Sequence, residues 1–242
     1  MAGPLRIRTG FLFLDPDIVT YRASAAHPGA ASAPGQGVRP GDRVAAMIID
    51  RDGSLLGSTP GLPDEAFESD GLITKRAVRA VALAQLRPLP GQLLWDVGTG
   101  AGSIAIEWCR GAQGAKAIGL ERRAERAERA LRNADRLTRG GSFSIVLGEV
   151  ADSLPALPAP DAVFVGGGGT MKVLEFAMSA LNPGGRLVAH GITLEAEELC
   201  VQAQRTWGGQ LMRVGVEIAE PLGSLSGWRP LRTVISWAAL KD

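Results

Sequence analysis

Beyond residue 71, short runs of apolar residues alternate with longer stretches in which apolar residues recur at helical spacing. The runs predict buried strands and the longer stretches predict amphipathic helices. The predicted strands are 93–97, 116–120, 143–147, 161–165, 186–190, 211–219 and 231–238. The predicted helices are 74–86, a stretch ending near 110, 122–138, 171–181 and 195–206. Strands that alternate with helices of this length form a parallel sheet covered on both faces, so we predict an α/β fold.

The end of the chain departs from this alternation. The last two predicted strands leave no room for a helix between them. We therefore expect a mostly parallel seven-stranded sheet whose C-terminal strands form an antiparallel hairpin at one edge.

The first part of the chain has a different composition. Residues 24–42 consist mostly of Ala, Gly, Pro and Ser. Such a segment buries too little apolar surface to offset the entropy lost on ordering it. We interpret 1–52 as an N-terminal appendage with a flexible linker, in which 44–50 could form one strand, and 53–242 as the main domain.

Composition and charge exclude several classes of function. Of 242 residues, 45% are hydrophobic, and 26 are basic against 25 acidic. This is typical of a globular protein and gives no electrostatic reason to bind nucleic acid. No stretch approaches the roughly 18 apolar residues of a membrane helix, and no signal peptide pattern is visible, so we expect a cytoplasmic protein with no membrane partner. The two cysteines lie far apart in sequence, so with the two histidines we do not expect them to form a closed zinc site, and we predict no metal.

A glycine-rich segment follows the strand at 93–97. It reads Asp96-Val-Gly98-Thr-Gly100-Ala-Gly102. Alternate glycines let the main chain turn sharply and approach a ligand at the carboxyl edge of the sheet. A dinucleotide-binding loop would need glycine at the position of Ser103. The spacing instead resembles motif I of the class I S-adenosylmethionine-dependent methyltransferases.

Two acidic residues follow the next two strands. Glu121 ends the strand at 116–120, where a carboxylate can accept hydrogen bonds from both hydroxyls of a cofactor ribose. The alternative is a surface acid opposite Arg122 or Arg123. Glu149, followed by Val150, comes after the strand at 143–147, where such methyltransferases contact adenine. The alternative for Glu149 is a solvated loop acid.

Four consecutive glycines, Gly166 to Gly169, end the strand at 161–165. Glycine loses more conformational freedom on folding than other residues, so the run is costly unless a ligand needs the space. We interpret it as room for a bulky ligand, with a merely flexible loop as the alternative.

Several motifs occur in an order that identifies a narrower group. They are Gly61-Leu-Pro-Asp64-Glu-Ala-Phe67, Thr74-Lys75-Arg76, the loop from Asp96, Phe164-Val-Gly-Gly167, Thr193-Leu-Glu195, and Gly227-Trp-Arg-Pro230 with Trp237. Together they resemble the decarboxylating carbon-15 methyltransferases of cobalamin biosynthesis, in particular the C-terminal domain of the two-domain members that also methylate carbon 5. The resemblance covers about residues 44–240 and implies the Rossmann-like class I methyltransferase fold.

The resemblance implies a reaction. Such domains use S-adenosylmethionine to methylate carbon 15 of precorrin-6B, a tetrapyrrole, and remove carbon dioxide from the acetate side chain at carbon 12. Residues 1–52 are too short to hold the domain that methylates carbon 5, so we expect only half of the full reaction. Relatives form homotetramers, and a homo-oligomer is expected on that ground alone.

The resemblance also implies site residues. Those expected to bind the cofactor are Thr74, Asp96, Gly98, Thr99, Gly100, Ala101, Gly102, Glu121, Glu149, Val150 and Gly166. The substrate carries many carboxylates, which arginine binds through paired hydrogen bonds. The substrate candidates are Arg76, Arg79, Gly167, His190, Arg229 and Arg232, and for each arginine the alternative is a solvated surface residue. His190 is the one candidate for proton transfer, although a structural or substrate-contact role is favoured.

Other interpretations remain open. A class I methyltransferase acting on another small molecule or on tRNA would share the loop, although the near-zero net charge and Val165-Gly-Gly after the strand at 161–165 count against RNA. A non-catalytic partner subunit is expected to have lost the cofactor residues, yet the glycine loop and Glu121 are present.

Overall fold

The computed structural model describes residues 60–138 and 142–242 together with three short strands at 19–22, 48–49 and 55–56. The helices are α1 (Arg76–Leu86), α2 (Ser103–Gly111), α3 (Ala124–Leu137), α4 (Val150–Ser153), α5 (Met171–Ala180) and α6 (Leu194–Trp207), with 3-10 turns at Asp64–Ala66 and Leu154–Ala156. The strands are β1 (Val19–Arg22), β2 (Ile48–Ile49), β3 (Leu55–Leu56), β4 (Leu93–Val97), β5 (Lys116–Glu121), β6 (Phe143–Leu147), β7 (Ala162–Val165), β8 (Arg186–Gly191), β9 (Gln210–Val214), β10 (Glu217–Leu222), β11 (Leu225–Pro230) and β12 (Val234–Leu240). The predicted linker at 24–42 lies outside the described residues.

One large sheet organises the domain. Within the described residues its order is β1-β6-β5-β4-β7-β8-β12-β9. The five strands from β6 to β8 in this order are parallel, and β1, β12 and β9 are antiparallel to their neighbours. The chain order changes direction at β4, between β5 and β7. In open α/β sheets, ligands bind beyond the carboxyl ends of the strands at such a point.

The predicted fold is confirmed, with two additions besides the short antiparallel pair of β2 and β3, whose first strand lies within the predicted strand 44–50. All seven predicted strands have counterparts, although 211–219 is divided between β9 and the start of β10. Strands β9 and β12 form the antiparallel pair expected at one edge. The first addition is β1, which lies within the predicted appendage and pairs with β6. The second is a separate hairpin of β10 and β11 between β9 and β12. The prediction missed this hairpin because its residues are mostly exposed and show no alternating buried face.

The two faces of the sheet have separate hydrophobic cores. Helices α1, α2 and α3 cover one face, whose core includes Trp108 and Phe164. Helices α5 and α6 cover the other, whose core includes Trp95 and Trp237. Because successive strand residues point to opposite faces, Asp96 of β4 lies on the α2 side. Among the described residues, every helix is too short or too polar to cross a bilayer.

Candidate active site

The glycine loop, residues 98–102, leaves β4 with three glycines in left-handed backbone conformations. The φ angles are +72° at Gly98, +55° at Gly100 and +77° at Gly102. Residues with a side chain are strained at such angles, which explains why glycine occupies these positions. The amides of Gly98 and Thr99 donate to the carbonyl oxygen of Leu120 at 3.0 and 3.1 Å. These bonds attach the loop to the end of β5.

Two glycines of the loop have different surroundings. A Cβ on Gly98 would lie 2.6 Å from the carbonyl oxygen of Gly167, so the main chain after β7 packs directly against it. A Cβ on Gly100 would meet no atom closer than 3.9 Å, and one on Gly167 would meet none within 4 Å. The loop is therefore held at Gly98 and leaves open space at Gly100, where a ligand can lie against the main chain.

Asp96 supports the loop from inside the protein. Its carboxylate is buried, and Oδ2 accepts hydrogen bonds from the Thr99 hydroxyl at 2.6 Å and from the Ala105 amide at 3.2 Å. Burial, with a smaller contribution from nearby Glu121, raises the pKa of Asp96 to about 6, although the two hydrogen bonds oppose the shift. Asp96 thus connects the loop to the first turn of α2.

Asp96→Asn is expected to remove a pH dependence of stability. Because the pKa of Asp96 in the folded chain, about 6, exceeds its ordinary value of 3.8, ionisation destabilises the fold as pH rises from about 4 to about 6. The loss approaches about 3 kcal/mol and then stays constant. Urea unfolding of both proteins without cofactor should show the wild type losing stability relative to the variant over this range. A difference that does not change with pH would contradict the assignment.

Glu121 lies against the glycine loop. It is buried, Oε2 accepts a hydrogen bond from the Gly100 amide at 3.1 Å, and Oε1 accepts one from the Arg123 amide at 3.0 Å. The alternative of a surface acid is therefore wrong. A carboxylate offers about four acceptor positions, so Glu121 has capacity for two further donors.

The residues that follow β6 lie at the same edge of the sheet as the glycine loop. The Gly148 amide donates to the Glu121 carbonyl oxygen at 3.0 Å. Glu149 is exposed and Val150 is half-buried at the start of α4. A Cβ on Gly168 would lie 3.4 Å from the Val150 side chain, so the loops after β6 and β7 are close together. The structure brings these residues, the glycine loop and Glu121 to one edge of the sheet.

Residues 60–75, which we call the strap, reach this edge from outside the sheet. Glu107 of α2 is buried and accepts hydrogen bonds from the amides of Gly61 at 2.5 Å and Leu62 at 2.9 Å. The helix predicted to begin at Thr74 begins instead at Arg76, and Lys75 is its capping position. Thr74 is half-buried at the end of the strap.

The structure contradicts the prediction that Arg79 binds substrate. Its side chain is fully buried. Nε donates to Glu107 at 2.5 Å, and Nη1 donates to the Thr74 carbonyl oxygen at 2.5 Å and to Asp64 at 3.1 Å. Nη2 donates to the Leu62 carbonyl oxygen. Arg79 is therefore occupied in attaching the strap to α1 and α2.

The other arginine candidates are exposed. Arg76 begins α1. Arg229 lies on the β10–β11 hairpin, where Nε is 2.5 Å from Oε2 of Glu220, and Arg232 follows that hairpin. Their position permits contact with a ligand, but the hairpin is not part of the main sheet.

His190 near the end of β8 has an unusual environment. Its ring packs edge-on against Phe164, with ring centroids 5.3 Å apart. Both ring nitrogens are buried and have no hydrogen-bond partner within the described part of the chain. Burial lowers the pKa of His190 to about 4, so the imidazole is neutral near pH 7.

Sequence reasoning missed two buried polar residues, Glu107 and Asn133. Glu107 anchors the strap, and Asn133 of α3 contacts both the strap and the glycine loop. Each occupies a position on its helix that faces the apolar core, flanked by buried residues. The sequence signal that could have identified both residues is a polar side chain within the apolar face of a predicted helix.

Comparisons with known proteins agree with this geometry. Residues 65–241 match the family described as precorrin methyltransferase domain. A Sinorhizobium sp protein named precorrin-6Y C(5,15)-methyltransferase (decarboxylating) is 42% identical over 196 residues, which are 81% of this chain and 47% of that protein. A Pyrobaculum aerophilum protein named probable cobalt-precorrin-6B C(15)-methyltransferase (decarboxylating) is 32% identical over 184 residues, covering 73% and 94% of the two chains.

A solved structure extends the likeness to three dimensions. The C-terminal domain of precorrin-6Y C5,15-methyltransferase from Rhodobacter capsulatus is 40% identical, with a TM-score of 0.70 over 76% of this chain and 100% of that chain. The chain spans about half the length of the Sinorhizobium relative and nearly all of the Pyrobaculum relative. The resemblance inferred from the ordered motifs is confirmed: the chain belongs to the precorrin methyltransferase domain family.

Proposed function

We propose that this chain transfers a methyl group from S-adenosylmethionine to carbon 15 of precorrin-6B and removes the carboxyl group of the acetate side chain at carbon 12 as carbon dioxide. The names of the two relatives support this reaction class. The Pyrobaculum relative, named for the carbon-15 reaction, is matched over nearly its whole length. This favours methylation at carbon 15 alone over methylation at both carbons 5 and 15, which is the reaction in the name of the Sinorhizobium relative.

The open surface at Gly100 beside the buried Glu121 carries the proposal. A nucleoside fits there because the nearest atom to a Cβ built on Gly100 is the Gly98 carbonyl oxygen, 3.9 Å away. Two ribose hydroxyls supply the donors that the Glu121 carboxylate still has capacity to accept. Asp96, held below the loop, would supply a negative charge that suits the cofactor's ammonium group. Thr74, Val150 and Gly166 would complete the proposed pocket.

The cofactor supplies an activated methyl group on a cationic sulfur. The protein's own task is to align that methyl group with the substrate carbon, which is an orientation effect. Loss of carbon dioxide leaves an electron pair that the conjugated macrocycle absorbs, and the side-chain carbon takes up one proton. We assign no residue to this proton.

We propose that the substrate carboxylates are held by Arg76, Arg229 and Arg232, beside the open main chain of Gly167. His190 is proposed as a neutral substrate contact. Exposed guanidinium groups suit this role because they form paired hydrogen bonds with carboxylates. Arg79 is excluded from the set by its burial.

The test is to incubate the purified chain with S-adenosylmethionine and metal-free precorrin-6B and to follow the product by mass. The expected product has gained one methyl group and lost one carbon dioxide. Cobalt-precorrin-6B in a parallel reaction determines which form is used. A product with two added methyl groups would contradict the half-reaction, and cofactor binding without any precorrin methylation would indicate another substrate.

Glu121→Ala is expected to weaken binding of S-adenosylhomocysteine about 100-fold, equivalent to about 2.7 kcal/mol. The variant loses an ionised acceptor, and hydrogen bonds to charged groups are each worth about 1.5–3 kcal/mol. Calorimetry measures the affinity, and circular dichroism shows whether the fold is retained. Glu125→Ala is the matched control, because Glu125 is exposed on the first turn of α3 and the net charge changes equally. An equal effect of both substitutions would contradict the assignment of Glu121 as the residue that binds the ribose hydroxyls.

We propose that the chain forms a homo-oligomer, a tetramer by its resemblance to the family. The β10–β11 hairpin supports an interface, because Leu222, Leu225 and Trp228 are each at least 70% exposed. Apolar patches of this kind mark association surfaces, and an isolated two-stranded hairpin is marginally stable alone. Light scattering should give a tetramer for the wild type and smaller species for Leu225→Glu. A monomeric wild type would contradict the proposal.

A further inference from the structure

The strap follows one face of α3 through a row of polar contacts. Nε of Arg126 donates to Asp70 at 2.8 Å, and Nε of Arg132 donates to Glu68 at 3.1 Å. Arg136 donates to the carbonyl oxygen of Ala66. At about 100° of rotation per helical residue, Arg126, Arg132 and Arg136 lie within an arc of about 120° around the axis of α3. The strap is therefore attached along α3 before it turns toward Thr74.

Asn133 lies on the inner side of this row and has a second partner. Its side chain is fully buried. Oδ1 accepts a hydrogen bond from the Glu68 amide at 2.8 Å, and Nδ2 donates to the Glu68 carbonyl oxygen at 2.9 Å. The same Nδ2 donates to the carbonyl oxygen of Ala101 at 2.9 Å. One amide group thus joins the strap to the glycine loop at Ala101.

We infer that Asn133 is a positioning residue that couples the strap to the glycine loop, so that cofactor binding at the loop and ordering of the strap favour each other. The inference rests on the proposed function, because it takes the loop as the cofactor site. Asn133 itself touches neither cofactor nor substrate and acts through main-chain groups on both sides.

The physical basis is the free-energy cost of leaving polar groups without hydrogen-bond partners inside the protein. Without Asn133, the buried Ala101 carbonyl and both main-chain groups of the half-buried Glu68 lose a hydrogen-bond partner. The Ala101 carbonyl belongs to the peptide between Ala101 and Gly102, which is then less restrained. This peptide lies next to Gly100, whose amide donates to Glu121. A strap that is loose at Glu68 also restrains Thr74 less. Coupling between two events is reciprocal. If an ordered strap strengthens cofactor binding, then bound cofactor favours the ordered strap by the same free energy.

The neighbouring Arg132 provides a matched control. It contacts the same strap residue, Glu68, through an ion pair whose two side chains are 47% and 36% exposed. Exposed pairs contribute little to stability. Arg132→Gln therefore weakens an outer attachment of the strap and leaves the link to the glycine loop intact.

The experiment measures S-adenosylhomocysteine binding by calorimetry and amide hydrogen exchange of residues 66–72 with and without saturating ligand. In the wild type, ligand should slow exchange in the strap at least threefold. Asn133→Leu, of similar volume without polar groups, should bind about tenfold more weakly, equivalent to about 1.4 kcal/mol. Its strap should show no slowing at saturation. Arg132→Gln should bind within twofold of the wild type and keep the slowing.

The outcomes separate this inference from the proposed function. A wild type that binds ligand without any response in the strap overturns the coupling and leaves the proposed function standing, whether or not Asn133→Leu folds. An Asn133→Leu protein that folds and retains the response shows a merely structural role and overturns the inference. A wild type that does not bind the ligand contradicts both.

Discussion

Replacement of Gly98 by alanine is expected to lower the free energy of unfolding by about 4 kcal/mol and to abolish cofactor binding. The φ angle of +72° costs a residue with a side chain about 1–2 kcal/mol. The new Cβ would also lie 2.6 Å from the Gly167 carbonyl oxygen and 2.9 Å from its Cα, and main chain cannot move aside as a flexible side chain does. Such overpacking adds about 1–3 kcal/mol. Urea unfolding and calorimetry measure the two effects.

Gly100→Ala separates the fold from the ligand site within the same loop. Its φ angle of +55° carries the same backbone cost, but the new methyl group enters open space. Stability should fall by only about 1–2 kcal/mol, while S-adenosylhomocysteine binding should still be lost, because the methyl group would occupy the proposed nucleoside position. Wild-type affinity in Gly100→Ala would show that the ligand does not lie over this glycine.

Arg79→Ala is expected to lower the free energy of unfolding by about 4 kcal/mol, because it leaves the buried Glu107 carboxylate without its cationic partner. The substitution also removes the donor to two strap carbonyl oxygens, those of Leu62 and Thr74. Urea unfolding measures the change. Hydrogen exchange in the strap should increase in the same variant.

Arg76→Ala tests whether this effect is specific. Arg76 lies one turn earlier on α1 and is exposed, so its removal should change stability by less than about 0.5 kcal/mol. The opposite result, with Arg76 costly and Arg79 neutral, would be incompatible with the described packing.

The sheet and the glycine loop were predictable because their signals are local. Residues 93–97 form an apolar run directly before the three glycines, and the structure places each of these glycines at a positive φ angle. Glu121 was identified by its position at the end of the next strand. Parallel strands share a carboxyl edge, so residues after β4, β5 and β6 meet there whatever the details of the helices.

The role of Arg79 could not be read from its type alone. Its burial depends on Glu107, which is 28 residues away in sequence, and on the path of the strap. One local signal was available: Arg79 is in helical register with Ala82, Leu83 and Leu86, all of which are buried. An arginine within the apolar stripe of a helix is a candidate for a buried ion pair before it is a candidate for a surface contact.

The antiparallel strand β1 has a practical consequence for anyone preparing fragments of this domain. Its main-chain groups pair with those of β6 from Ser144 to Leu147, a segment rich in β-branched and other apolar residues. Removing residues 1–22 would expose the hydrogen-bonding edge of β6. Exposed edges of this kind pair with strands of other molecules and lead to aggregation. Protein that begins after this strand should thus precipitate more readily than protein that contains it, even if the sheet edge with the glycine loop is intact.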